Sequence, residues 1–364
     1  MAVPFDQILE YAVNKGASDV HLTPGLPVSF RIQGKIEYFG EPLGEAYTQN
    51  MALQILAPAH QAHLDEFRDV DFSVTSKKKF RFRGNAFFSQ SGLSFVLRLI
   101  PNQIPAFAGL GFPPAILDHF LGLRQGLVLV VGPTGQGKTT TLASLIQARS
   151  EAHAEHIITM EDPVEFVLTS QKSIIHQRDI GKDALSFSSG LKSALREDPD
   201  VLLVGEMRDL ETISAALTAA ETGHLVLSTL HTHDTPDTIS RIIDAFPIDQ
   251  QEQVRTQLSA SLKMVIAQKL VPSVDGKRSL VYEIMTSNYA IKNHIRQGTL
   301  HQIPNYMQTD NMNLFDQSLA GRVVNGQVDI PTAFEYARST EQLSSLLTTN
   351  GVQLPEEYLA DEYE

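Results

Sequence analysis

The residues of this chain best suited to chemistry lie in one unbroken stretch, Gly132-Pro133-Thr134-Gly135-Gln136-Gly137-Lys138-Thr139-Thr140-Thr141. Three glycines at alternating or near-alternating positions let the backbone curl until its N–H groups point inward at phosphate oxygens. A lysine at the end of such a curl reaches β- and γ-phosphates, and the hydroxyl that follows it can ligate Mg2+. The spacing therefore predicts that residues Gly132 through Thr140 cradle a nucleoside triphosphate, with Lys138 on the phosphates and Thr139 on the metal. An ordinary glycine-rich turn is the bland alternative. It is disfavoured by the flanks: the apolar run at 127–131 has the makings of a buried strand, and 142–146 carries helical spacing. A helix opening at Lys138 would add its positive end to the same place.

Carboxylates arrive where such a site would need them. An apolar strand at 156–160 runs into Glu161-Asp162-Pro163-Val164-Glu165, at the strand end where ligands bind in parallel α/β sheets. One carboxylate there is required to orient or deprotonate an attacking water, and Glu165 is expected to be that base ahead of Glu161. A second buried strand at 201–204 ends in Gly205-Glu206, and Glu206 stands where an ATPase of this kind places an acid beside Mg2+. The following helix is well punctuated, with Asp209 as its N-cap and Gly223 at its stop. A third strand, 225–229, has His224 just before it and His231 and His233 just after. His231 is the better placed to meet a γ-phosphate as a neutral donor, since a zinc site would lack a third ligand.

The elements that must hold these groups begin with a different kind of sequence. Residues 4–15 read as a helix, followed by short strands at 19–22, 28–32 and 35–39, helices at 47–56 and 59–67, and alternating strands at 69–74, 80–89 and 93–100. This predicts a small α+β domain over residues 1–100. Arg81 and Arg83 are two apart on one strand and so share a face, with Arg98 on a neighbouring strand. Guanidiniums so close repel unless an anion sits among them. Nucleotide phosphates are one candidate and the acidic segment 65–71 is another. Prolines and glycines crowd residues 101–115, which read as a linker to an ATPase domain over 116–364. Beyond the histidine strand the expectation is helices at 248–270, 287–298, 313–324 and 329–340, then a loose acidic tail.

Whole-chain properties set the outer bounds. The 364 residues are enough for two cores, and 42% hydrophobic with 20% charged residues is a globular composition. A net charge of −13 argues against a chain-wide nucleic-acid or acidic-lipid affinity; the densest basic patch is Lys77, Lys78 and Lys79 with Arg81 and Arg83. No apolar run is long enough for a bilayer, the N-terminus lacks a signal-peptide layout, and the absence of cysteine fits a reducing compartment. A cytoplasmic location is expected.

Taken together, these motifs resemble the type II/IV secretion ATPases, and among them the pilus-retraction branch. The resemblance is carried by GASDVHL at 16–22, the loop at 132–140, EDPVE at 161–165, ALREDPD at 194–200, GEMRDLET at 205–212, AAETGH at 219–224 and TLHT at 229–232. It implies a PAS-like N-terminal domain, a RecA-like P-loop core, and a homo-hexamer that couples ATP hydrolysis to pilus retraction and twitching motility. It further implies Glu165 as general base, Glu206 as the Mg2+-associated acid, and His224 with His231 as a histidine-box pair near the nucleotide. Arg81, Arg83 and Arg98 would reach the phosphates. The implied partner is an inner-membrane platform protein of the type IV pilus, with no nucleic acid. Gln136 and Thr139 stand where the family commonly has serines, and Gln136 is expected only to add bulk. The segment AIKNHIRQG at 290–298 is similar to a family motif tied to retraction. The alternatives are an extension or secretion motor of the same family, a nucleic-acid translocase, and a non-enzymatic nucleotide switch.

Overall fold

The computed structural model describes residues 4–32, 34–78, 80–100, 103–307 and 312–359. The chain divides into two compact units, Met1–Gln103 and Ile104–Glu364.

The first unit is a six-stranded antiparallel sheet with three helices. Its strands are β1 (Ala17–Leu22), β2 (Val28–Ile32), β3 (Lys35–Phe39), β4 (Asp69–Thr75), β5 (Arg81–Ser89) and β6 (Gly92–Ile100), in the order β3-β2-β1-β6-β5-β4. Alternation sends Val20, Leu22, Phe30, Phe82, Phe95 and Leu97 into one core with Ile8, Leu9 and Ala12 of the helix Phe5–Asn14. The other face is polar, and one cross-strand row on it is built of charges. Asp19 stands opposite both Arg31 and Arg98, and Arg98 stands opposite Arg83. Lys77 and Lys78 of the basic patch pair with Asp6 and Glu10, at 3.0 and 2.8 Å; Lys79 lies outside the described residues.

The second unit is an α/β layer structure. Its strands are β7 (Gly126–Val131), β8 (His156–Glu161), β9 (Ile174–Asp179), β10 (Val201–Val204), β11 (Leu225–Leu230), β12 (Leu262–Pro272) and β13 (Arg278–Thr286), ordered β13-β12-β7-β11-β10-β8-β9. All neighbours are parallel except β12 and β13. Every residue of β7, β10 and β11 is buried, as parallel strands covered on both faces require. Leu127, Leu129, Leu202, Val204 and Val226 belong to one apolar cluster, while their neighbours Val128, Val130, Val201, Leu203 and Leu227 belong to a second, so the sheet separates two cores. A third cluster joins Val271 and Val281 to Phe315, Leu319, Leu343 and Leu347 of the C-terminal helices. The expected α/β core with a smaller N-terminal α+β unit is what the chain forms.

Two expectations are corrected. The helix expected over 248–270 stops at Ser261, and the chain continues as β12. Leu262 to Ala267 lie between β7 and β13 and are almost all buried; a strand covered on both faces shows no alternation, so its apolar run mimics a buried helix. The linker expected over 101–115 is ordered into the second unit from Ile104 onward. Phe107 and Phe112 stack at 5.1 Å and are 3% and 5% exposed, and the Ser144 hydroxyl donates to the Pro105 carbonyl at 2.7 Å. Aromatic residues between the prolines turn that stretch into core.

The helix that starts at the phosphate-loop motif, Lys138–Ala152, is fastened by a buried cation to the residue just before β8. The Arg149 guanidinium, 1% exposed, donates through Nε and Nη2 to both oxygens of Glu155 at 2.7 Å and through Nη1 to the Phe120 carbonyl. Removing one partner of such a pair leaves a poorly solvated charge. Arg149→Met is expected to lower the unfolding free energy of this unit by about 3 kcal/mol, the low end of the range because Glu155 keeps some water contact. Denaturant titration checks it, and an unchanged midpoint would mean that packing of the stem carries the join.

Candidate active site

The C-terminal ends of four parallel strands gather at one edge of the sheet, β10 stopping two residues short of β7 and β11. Val131 of β7 pairs in register with Leu230 of β11, Ser228 of β11 with Val204 of β10, and Val204 with Met160 of β8. At or just past these ends stand the loop at 132–137, His231, Glu206 and Glu161, the last residue of β8. Short bonds fix the heights: Ser228 Oγ donates to the Val204 carbonyl at 2.6 Å, Thr229 Oγ1 to the Gly205 carbonyl at 2.7 Å, and Gly205 N–H to the Met160 carbonyl at 2.8 Å.

The loop has the form of an anion cradle. Gly132, Gly135 and Gly137 have φ of +146°, +77° and +83°, and the backbone N–H groups from Gly135 to Thr140 find no acceptor among the described residues, as the first turn of a helix leaves them. At Gly132 a Cβ would come within 2.3 Å of the Gln268 carbonyl of β12, so only glycine allows that approach. The Lys138 ammonium donates to the Gly132 and Pro133 carbonyls at 2.7 and 3.0 Å. Burial pushes Lys138 down in pKa, while the nearby carboxylates of Glu206 and Glu165 work against that shift. Thr139 is half-buried in the helix's first turn. Gln136 does more than add bulk, which corrects that expectation: its Oε1 accepts from the Leu270 N–H, and its carbonyl accepts from Gln268 Nε2, both at 2.6 Å. Gln268 Oε1 also accepts from Thr141 at 2.9 Å, so one β12 side chain ties the loop to the helix that follows it.

Across from the loop stands a compact set of charges. Glu206 Oε2 accepts from Arg208 at 2.7 Å, and Oε1 lies 3.0 Å from His231 Nε2. The other ring nitrogen of His231 is 3.4 Å from the Thr134 hydroxyl on the loop. Burial alone would raise Glu206, but the hydrogen bonds and charge from Arg208 and His231 outweigh it and hold the carboxyl below its ordinary range. Glu161 shows the opposite balance. It is 7% exposed, and burial pushes it up although Thr159 and Gln177 donate to its Oε1 at 2.6 and 3.1 Å. Glu165 is exposed on the turn beyond the cis Asp162-Pro163 bond. That turn is pinned by β9: Asp179 accepts from Val164 N–H at 2.6 Å and Gln177 donates to the Phe166 carbonyl at 2.8 Å.

The structure thus gathers the loop, Glu206, His231 and the Glu161–Glu165 turn at one pole. It does not bring His224 there. His224 precedes β11, and its carbonyl accepts from Gly126 N–H at the start of β7, about 20 Å away at the usual rise per strand residue. Within its own chain His224 cannot touch a nucleotide on the loop, because it lies at the opposite end of the strand that carries His231.

In the first unit the arginine set is partly answered from within. Arg98 Nε donates to Asp19 at 2.9 Å, Arg31 Nε lies 3.9 Å from the same carboxylate, and Arg83 reaches only 3.8 Å from Asp71. Asp19 is 5% exposed and also accepts from Ser18. The anion among the guanidiniums is therefore an internal carboxylate, and Arg31 is a fourth member of the row. In the segment 290–298, Ile291 and Ile295 are buried, as is His294 against Tyr306, while Arg296 is exposed.

Because the native state holds the Glu161 proton more tightly than the unfolded chain does, its stabilising contribution is full below the ordinary glutamate pKa and is lost as pH rises through the raised one. Glu161→Gln keeps the oxygen that accepts from Thr159 and Gln177. It is expected to be more stable than the parent near neutral pH, with the gap closing below about pH 4. Unfolding followed across pH checks this, and a variant less stable at every pH would mean that the turn needs the ionised carboxylate.

Comparison with known proteins places this geometry. The family described as Type II/IV secretion system protein matches residues 2–303. The Type IV pilus retractation ATPase PilT of Pseudomonas aeruginosa is 41% identical over 339 residues, 92% of this chain and 98% of that protein. A Twitching motility protein of Neisseria gonorrhoeae is 44% identical over 299 residues, 81% of this chain and 80% of its own length. The crystal structure of the pilus retraction motor PilT with bound ADP superposes with a TM-score of 0.90 at 43% identity, covering 94% of this chain and all of that one. A phosphate cradle, a strand-end acid and a histidine gathered by parallel strands, in a chain matched over nearly its whole length, make it a member of the type II/IV secretion system protein family.

Proposed function

We propose that the chain is the ATP-hydrolysing motor of type IV pilus retraction, acting on the cytoplasmic side as a homo-hexamer that engages an inner-membrane platform protein. The observation that carries the ATPase reading is this pole, where a phosphate loop faces an ionised acid and a histidine across a few ångströms. The names and activities of its relatives support the choice of retraction. No helix among the described residues is long and apolar enough to cross a membrane.

The chemistry follows from the residues. Lys138 exchanges its two loop carbonyls for β- and γ-phosphate oxygens, a stronger charge-assisted contact, while the unpaired loop N–H groups take the rest of the phosphate chain. Thr139 and Glu206 would hold Mg2+, which neutralises phosphate charge when bound. Glu165, exposed on a pinned turn, is free to take the proton of the attacking water. His231 stands between Thr134 and Glu206, where a ring N–H can turn from the carboxylate to a γ-phosphate oxygen. Phosphoryl transfer spreads charge over the equatorial oxygens, and Arg81, Arg83 and Arg98 of the first unit supply cations for that charge within the assembled ring. Asp19 keeps Arg98 extended until a phosphate competes for it.

Two outcomes separate these roles. Lys138→Ala is expected to abolish ATP affinity, whereas Glu165→Gln should bind ATP normally and lose most of its turnover. Equilibrium nucleotide binding beside steady-state hydrolysis reads both, and near-parental turnover in Glu165→Gln would move the base to Glu161. Replacing the critical arginine among Arg81, Arg83 and Arg98 should lower kcat by on the order of a thousandfold with a much smaller effect on nucleotide affinity. If only solubility or salt sensitivity changed, the arginines would be surface charges.

A further inference from the structure

The most heavily built polar cluster outside the nucleotide pole joins the C-terminal helices to the segment just beyond His231. Arg338 lies in the connector between the helices Ile330–Tyr336 and Thr340–Thr349. Its backbone N–H and that of Ser339 each donate to Asp316 at 2.9 Å, and Asp316 is 3% exposed. Its guanidinium lies over the Phe315 ring at 4.6 Å, donates through Nη1 to Glu283 of β13, and donates through Nη2 to the His233 carbonyl at 2.5 Å. Glu283, 3% exposed, uses its other oxygen to accept the Thr235 N–H at 2.9 Å. The segment leaving β11 is therefore held at His233 and Thr235 by an arginine and a carboxylate that the C-terminal third supplies. Only Thr232 separates His233 from His231, and the Thr232 hydroxyl is itself bonded to that of Thr238 at 2.7 Å.

With Glu283 buried and Arg338 partly exposed, a pair of this kind is a costly way to gain stability, since hydrophobic residues of similar volume often do as well. What it gives in addition is a fixed position. We propose that Arg338, held by Asp316 and Glu283, is a positioning residue that sets the backbone of the His231 segment, so that the C-terminal helices determine how His231 meets Glu206 and the phosphate loop. The proposal rests on His231 serving the nucleotide. It makes the coupling mechanical and two-way: a nucleotide that pulls on His231 strains the Arg338 fork, and a partner that shifts the C-terminal helices changes the histidine. Lysine would not substitute, because the two arms of the guanidinium are used on two different acceptors.

The test is a cycle in the full-length protein with ATP and Mg2+. Arg338→Met with Glu283→Gln removes both charges together, which avoids a buried orphan charge and leaves an acceptor for Thr235 N–H. This variant is expected to keep KM for ATP within about twofold while kcat falls about ten- to a hundredfold, the scale of a small misplacement of a catalytic group. Combined with His231→Gln, it should cost nothing further, because the interaction it protects is already gone. If the kcat losses of the strut and of His231→Gln multiply, the strut does not act through His231 and the proposal fails alone. If His231→Gln keeps full kcat, the histidine's role falls and takes the strut's catalytic meaning with it. A lowered unfolding midpoint with kcat unchanged would reduce Arg338 to a stabilising contact and overturn the proposal.

Discussion

The site depends on the register of four parallel strands. Register is strongly specified where strands are buried, so the pairing of Val131 with Leu230 and of Val204 with both Ser228 and Met160 fixes the height of whatever follows each strand. A shift of one residue would move Glu206 about 3.3 Å from its place opposite the loop and turn it to the other face. Ser228 and Thr229, whose hydroxyls bond to carbonyls of the neighbouring chain segment, add a side-chain lock where the ladder gives out. β12 does the same on the other flank, through the Gly132–Gln268 approach and the bonds to Gln136.

On that frame the charges are arranged to be exchanged. Lys138 spends its protons on loop carbonyls, and Glu206 spends both oxygens on Arg208 and His231. In the proposed roles, a nucleotide with its metal would offer each group a stronger contact than the one it now has, so binding would replace internal bonds. On the polar face of the first unit Asp19 satisfies Arg98 from within. Glu161 stands apart: burial disfavours its ionised form, which suits a support for the turn that carries Glu165.

Much of this was legible from residue types. The loop announces itself because glycine, lysine and hydroxyl spacing has few other uses, and Glu206 and His231 are visible because each follows a short apolar run bounded by turn residues. Family resemblance added the fold of the first unit. Most of what was hidden is contact between residues far apart in sequence. Gln268 sits in a stretch that reads as helix because β12 is covered on both faces. Gln177 and Asp179 belong to β9, a strand too polar to stand out. Arg208 is two residues from Glu206 and could have been suspected, but nothing in the spacing says that it bonds to that carboxylate. His224, which the resemblance pairs with His231, stands before the strand as its sequence position says, at the end opposite His231.

The central claim is that the acid opposite the phosphate loop drives hydrolysis, and that hydrolysis drives retraction. Glu206→Gln preserves size and an acceptor oxygen while removing the charge, so it isolates that claim. The decisive measurement is the MgATP turnover of this variant, with filament retraction followed in cells that carry it as their only copy. The account predicts ATP bound in a folded protein, turnover largely lost and filaments that no longer retract. Turnover near the parental rate, or retraction that persists without it, would contradict the account.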